Sequence, residues 1–325
     1  MIGRRLFAVL IAASLVSSLV SSPGWAQNGG PLRIVVPFAA GGAQDVIARY
    51  LAAKLGERLD RSVIVDNKAG GGGVIASDAV AKSAPDGTTL LMATGGAISI
   101  APHLQAKLPY DSRHDFAAVA MVADTPMTLA VRSQSPYRSV ADLLADAKAR
   151  PGQVSFASTG PGTVSHLTGE LLAQAAGVKL LHVPYRGAGP ATTDLLSGEV
   201  ASMVTSVASI DPLVQSGRAR VLATFTTGRV TTLGSPPTIA EATGIKGLEV
   251  PVWVGLLAPA RTPPAVLEKL AADILAICRL PETQERFRSF GAEPSCRDPQ
   301  AFDRVVAEDL DRWGKVIRQS NIKTE

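Results

Sequence analysis

Residues 33–55 read RIVVPFAAGGAQDVIARYLAAKL, and the change of hydrophobic period inside this stretch decides the fold class. Residues 33–38 form a short apolar, β-branched run that suits a buried strand. Val46, Ile47, Tyr50, Leu51 and Leu55 then recur at helical spacing, with Arg49, Lys54 and Arg58 on the other face. A strand turning through glycines into an amphipathic helix is the repeating unit of α/β layers. The alternation continues outward. Strand runs are expected at 62–66 and 88–94, and a second set begins near Met127. That set has strands at 127–132, 154–157, 180–184, 201–205 and 220–226, with helices at 140–149, 165–176 and 190–197. Residues 226–247 are rich in Gly, Thr and Pro and read as a long connection holding one short helix. A strand at 252–258 follows, then three helical patterns starting near Pro263, Pro281 and Pro299.

The 325 residues are enough for two ordinary α/β domains. Hydrophobic residues make up 46% and charged ones 18%, which excludes a disordered or fibrous chain. Lys and Arg number 32 against 28 Asp and Glu. Residues 1–26 contribute Arg4 and Arg5 and no acid, so 30 basic residues face 28 acidic ones after their removal. With no basic stripe and 5% aromatics, nucleic acid is not an expected partner. Those first 26 residues read as an export signal: Arg4-Arg5, an apolar run, then Gly24-Trp25-Ala26 before a cut ahead of Gln27. The mature protein is therefore expected in the periplasm. Cys278 and Cys296 are the only cysteines, and in an oxidising compartment both a disulfide and two free thiols stay open. Four scattered histidines and two cysteines give no metal-ligand spacing, so no metal is expected.

Four strand-to-helix loops share one chemistry. They are 37–45 (PFAAGGAQD), 69–73 (AGGGG), 94–99 (TGGAIS) and 158–165 (STGPGTVS). Each is small and rich in backbone N–H or hydroxyl donors, at the strand ends where open α/β sheets bind ligands. Ordinary turn chemistry explains any one of them; four together favour an anion-binding cleft. Gly71-x-Gly73-x-x-Ala76 also fits a relaxed dinucleotide pattern, but 88–96 holds no acid to read a ribose. No nucleotide cofactor is expected. The chain has no G-x-S-x-G or S-x-x-K motif, and Ser165-His166 are sequence neighbours entering a helix, so no catalytic residue is assigned.

An ordered set of stretches carries a family resemblance. They are IVVPFAAGGAQDVIAR (34–49), VDNKAGGGGVIASDAVAKSAPDGTTLL (65–91), LPYD (108–111), FASTGPGTVSHLTGELL (156–172), HVPYRGAGPATTDLLSGEV (182–200), GLLAPARTPP (255–264), GAEP (291–294) and RWGKVI (312–317). Together they resemble the periplasmic solute receptors of tripartite tricarboxylate transporters, the Bug proteins. The resemblance implies a two-domain, flytrap-like periplasmic binding protein of the type II class, each domain a mixed sheet flanked by helices. Residues 27–124 with 250–325 would form domain 1, and 125–249 domain 2. It implies a monomer that grips a small carboxylate between two βα loops and delivers it to membrane transporter subunits or a sensor kinase. An exported α/β enzyme using the same cleft is the alternative. The residues matching the first loop are Phe38, Ala39, Ala40, Gly41, Gly42 and Asp45. Those matching the second are Ser158, Thr159, Gly160, Gly162, Thr163 and Ser165. Thr94 and Gly95 match a flanking loop, and Thr205 and Ser206 a further strand end. The chain departs from the family at Ala39-Ala40, where proline is common, and at Gly95, where Asn is common. It departs again at Ala201 and Thr205, where Asp often stands. An uncharged Thr205 points to a ligand without an ammonium group.

Overall fold

The computed structural model describes residues 30–230, 233–250 and 252–320. The expected export signal at 1–26 lies outside them. Along the chain come β1 (Leu32–Val36), α1 (Ala43–Leu59), β2 (Val63–Asn67), α2 (Val74–Ala81), β3 (Thr89–Ala93), α3 (Ala101–Leu104) and β4 (Phe116–Asp124). Next are β5 (Met127–Arg132), α4 (Val140–Ala149), β6 (Ser155–Ser158), α5 (Val164–Ala175), β7 (Leu181–Pro184), α6 (Ala188–Ser197), β8 (Ser202–Ser206), α7 (Val207–Gln215) and β9 (Ala219–Thr224). The last are α8 (Ile239–Thr243), β10 (Trp253–Pro259), α9 (Pro264–Cys278), α10 (Pro281–Ser289), β11 (Glu293–Arg297) and α11 (Pro299–Ser320).

Two mixed sheets result, in the orders β11-β4-β10-β3-β1-β2 and β7-β6-β8-β5-β9. In the first, β1 runs parallel between β2 and β3, with Ile34 opposite Val65 and Leu90. The α1 face bearing Ile47, Leu51 and Leu55 packs with Leu32, Ile34 and Val36 of β1 in one core. Each such side chain contributes roughly 1.5–3 kcal/mol on burial, so the period change in 33–55 is what fastens this helix to its strand. In the second sheet β8 is parallel to β6 and antiparallel to β5. The helix α4 begins with a reciprocal Ser139–Asp142 cap, which stops it from fraying back into the preceding loop.

The chain passes from the first sheet to the second through Thr125-Pro126 and returns just before β10. The two crossings are tied together: the Thr125 N–H donates to the Val252 carbonyl at 2.8 Å. The last helix touches both cores. Phe302 packs with Val35, Leu91 and Trp253, whereas Trp313 and Ile317 join the core under the second sheet.

Three elements were not expected from sequence. The β4 strand is the run FAAVAMVAD, whose alanines carry little β preference. The edge strand β11 is short and contains Pro294, and α7 holds Pro212 in its interior. The open question at the cysteines is closed by a Cys278–Cys296 disulfide that ties the end of α9 to β11. A crosslink over a separation of 18 residues stabilises the fold by about 3 kcal/mol.

Candidate functional site

Loops from both lobes meet between the sheets, and each is held from behind by a different device. Behind the β1–α1 loop, in the first turn of α1, Asp45 is 3% exposed. It accepts from the Gly41 N–H (3.0 Å), Arg49 Nε (3.0 Å) and Asn67 Nδ2 (2.9 Å). Asn67 also donates to the Phe38 carbonyl at 3.0 Å. Burial alone would raise the Asp45 pKa, but these hydrogen bonds and the Arg49 charge outweigh it and hold the carboxyl below its ordinary value. The charge is thus taken up behind the loop.

The β6–α5 loop is held by neutral groups. Ser158 Oγ lies 2.6 Å from His182 Nε2 and accepts from the Gly160 N–H at 3.1 Å. His166 Nδ1 accepts from the Gly162 N–H at 3.1 Å, which leaves the proton on Nε2. The two imidazoles stack with centroids 3.9 Å apart, and Phe156 stacks on the far side of His182 at 5.0 Å. Burial pushes His166 down to about 4. Burial and the neighbouring ring push His182 down to about 3. Both are neutral at pH 7. In front of them Ser165 Oγ accepts from the Thr159 N–H and lies 2.9 Å from both the Thr159 and Thr163 hydroxyls. Thr163 Oγ1 donates to the Gly160 carbonyl at 2.7 Å and caps α5.

The loops that serve the two sheets touch directly. The Ala39 N–H donates to the Arg186 carbonyl at 3.1 Å, and the Ala43 N–H to Ser209 Oγ at 3.3 Å. Gly72, at φ +65°, approaches so closely that a Cβ on it would lie 2.3 Å from the Pro161 carbonyl oxygen. Only glycine fits there.

Between the loops lies a cavity of about 40 Å³. That is room for about three water molecules. Of the expected site residues, Phe38, Gly42, Thr94, Thr159, Thr163, Ser165, Thr205 and Ser206 line it. The other eight, Ala39, Ala40, Gly41, Asp45, Gly95, Ser158, Gly160 and Gly162, shape the loops without lining it. Ala201 precedes β8 and packs against the second core, so it does not line the cavity either. Arg186 offers its carbonyl to Ala39 and is also absent from the lining. Eight lining residues were missed: Gln44, Gly96, Thr125, Met127, Val164, Ala188, Ser209 and Val252. The crossing segments bring Thr125, Met127 and Val252, which no local motif marks. Gly95 has a reason outside its loop: a Cβ there would lie 2.8 Å from Asp309 Oδ2 on α11.

No lining side chain is charged. Instead the starts of four helices reach the cavity: α1 through Gly42 and Gln44, α5 through Thr163, Val164 and Ser165, α6 through Ala188, and α7 through Ser206 and Ser209. The first N–H groups of a helix lack intrahelical partners, and the helix dipole makes its start positive. The arrangement favours an anion without placing a cationic side chain beside it. Among the described residues no cluster of His, Cys, Asp and Glu is suited to a metal ion. A second cavity of about 140 Å³ lies beside α11, walled mainly by apolar residues such as Phe116, Leu257 and Val306.

Residues 47–322 match the model of the tripartite tricarboxylate transporter family receptor. The chain is 39% identical to the UPF0065 protein in the tcbD–tcbE intergenic region of Pseudomonas sp. (strain P51), over 97% of this chain and 93% of that protein. Among solved structures it resembles R. palustris Rpa4515 with adipate, at TM-score 0.87 and 34% identity, over 90% of this chain and 98% of that one. It also resembles the periplasmic binding protein BugD, at TM-score 0.86 and 35% identity, over 91% and 99%.

Proposed function

The chain belongs to the tripartite tricarboxylate transporter receptor family, and on that footing we propose that it captures a small carboxylate between its lobes for the membrane subunits of such a transporter. Family and fold are those of periplasmic binding proteins rather than enzymes. The observation that carries the reading is the convergence of four helix starts on a cavity with no charged side chain. A relative of the same fold holds adipate, a carboxylate.

We assign residues 27–124 and 250–325 to one domain and 125–249 to the other, a division supported by where the sheets exchange the chain. The hydrogen-bonded crossings at Thr125 and Val252 would act as the hinge. Ligand bridging both lobes then selects the closed form. The export signal at 1–26, cut before Gln27, fits a periplasmic receptor.

The hydroxyl protons can be counted. Thr163 gives its one proton to Gly160, and Ser165 already accepts from the Thr159 N–H. With the Ser165 proton directed to Thr163, the Thr159 hydroxyl donates to Ser165, and of these three it is the one whose proton can turn from another hydroxyl onto a carboxylate. Thr159 is thus the direct hydroxyl contact, with helix N–H groups supplying the rest, and Ser165 positions it. Phe38, Gly42, Thr94, Thr205 and Ser206 complete the wall.

Isothermal titration against short carboxylic acids tests the reading, with each acid assayed afterwards by mass spectrometry. Saturable binding with every acid recovered intact is expected. Conversion of an acid, or no binding by any, contradicts it. At a hundredfold excess over Kd the ligand should stabilise the fold by about 2.7 kcal/mol, visible as a rise in Tm.

A further inference from the structure

Thr205 sits at the end of β8 with no exposed surface, and it lines the cavity. Its backbone carbonyl accepts from the Thr128 hydroxyl at 2.9 Å. Its own hydroxyl has no partner. Among the described residues it is the one cavity-lining side chain whose buried oxygen is left without a hydrogen bond. Its neighbours are engaged: Ser206 and Ser209 lie 3.0 Å apart, and Ser209 also accepts from the Ala43 N–H. Leaving a hydroxyl dry and unpaired costs free energy that a valine of the same shape would avoid. A ligand group that pairs with it recovers that cost.

The charge pattern narrows what that group can be. No Asp or Glu lines the cavity, so an ammonium group would enter without a counter-charge. The converging helix starts disfavour a cation further. Met127 and Val252 supply apolar wall, so water does not compensate fully. A hydroxyl or keto oxygen meets none of these penalties and satisfies Thr205.

We propose that Thr205 reads an uncharged hydrogen-bonding group on the ligand, so that hydroxy- and keto-carboxylates are preferred and amino acids rejected. This rests on the cleft being a carboxylate site. Thr205 is then the residue that sets specificity, while the loops supply the grip common to any acid.

Two series of probes differ at a single substituent: L-lactate, propionate and L-alanine, then L-malate, succinate and L-aspartate. Titration of the whole protein should rank each bound series hydroxy acid first, deoxy acid second and amino acid last. Thr205→Val should lower hydroxy-acid affinity about tenfold, the size of one neutral hydrogen bond, and leave the deoxy acid unchanged. It should also hold or raise the Tm of the unliganded protein, because an unpaired hydroxyl has gone. A folded variant that loses equal affinity for hydroxy and deoxy acids would overturn the assignment, as would an amino acid binding as well as its hydroxy analogue. Either result leaves the carboxylate reading standing. Binding by no member of either series overturns both together.

Discussion

The β1–α1 and β6–α5 loops hold their helix starts to the same cavity by opposite means. Behind the first stands an ionised carboxylate with an arginine and an amide on it. Behind the second stands a stack of neutral rings, with the Ser158 hydroxyl on His182 and the Gly162 N–H on His166. In both cases the ionisable groups are kept away from the cavity lining. The site's anion preference is therefore made by backbone, and side-chain charge serves only to shape it. Held so differently, the two loops should respond differently to substitution and to acid.

The largest effect is expected at the ring stack. His182→Ala removes the partner of Ser158 and the ring between Phe156 and His166. Truncating this half-buried ring costs about 2–3 kcal/mol, and the loosened loop should weaken carboxylate binding at least about tenfold. Urea unfolding and titration read the two quantities. Lost stability with undiminished affinity would show that the stack does not hold the loop.

Acid separates the loops next. Both histidines titrate below their ordinary value when folded, at about 4 and about 3. Between pH 6.5 and about 4 the unfolded chain therefore binds protons that the folded one refuses, and stability falls as pH falls. Each refused proton costs about 1.4 kcal/mol for every pH unit crossed, so a loss of at least about 2–3 kcal/mol is expected over that window. Glu170, half-buried and 3.8 Å from His166, is raised above its ordinary value by burial, so the folded chain takes up its proton first and offsets part of that loss as pH falls. Asp45 acts later: with its folded pKa lowered, its contribution is kept above its unfolded value near 4 and lost below. His182→Phe keeps a ring in the stack, so the slope between pH 6.5 and 4 should flatten. An unchanged slope would remove the histidines from this account of acid sensitivity.

Asp45→Asn tests the first loop. It leaves Arg49 and the Gly41 N–H with a weaker acceptor, at a cost of about 2 kcal/mol for hydrogen bonds to a charged group. Arg49 is half exposed, so little of this is Coulombic, and added salt should change it little. The smallest effect is at the cavity itself. Thr159→Val should leave urea stability within about 0.5 kcal/mol, as a substitution that disturbs no packing does. It should lower carboxylate affinity about tenfold. Equal losses of stability in Thr159→Val and Ser165→Ala would show that the two hydroxyls share one structural role.

Much of this design is visible in the chain before folding. The turn from 33–38 into an amphipathic helix marks the first loop, and STGPGTVS marks the second, because glycine freedom and helix-entry hydroxyls leave local signatures. Asp45 was read as the end of the loop but stands in the first turn of α1, and its use behind the loop depends on Asn67 and Arg49 converging in space. The missed lining residues Thr125, Met127 and Val252 come from crossings whose position is set by how the two sheets exchange the chain. The glycine at 95 is explained only by Asp309 on α11, far along the sequence. Local pattern reports entry into an element; it does not report what packs on it from a distance.

A crystal structure with the tightest-binding acid of the titration series tests the backbone-anion site most directly. Its carboxylate oxygens should lie about 2.7–3.2 Å from N–H groups at the starts of α1 and α5, with the Thr159 hydroxyl turned onto one of them. A carboxylate paired instead with Arg186, or seated in the cavity beside α11, would contradict it.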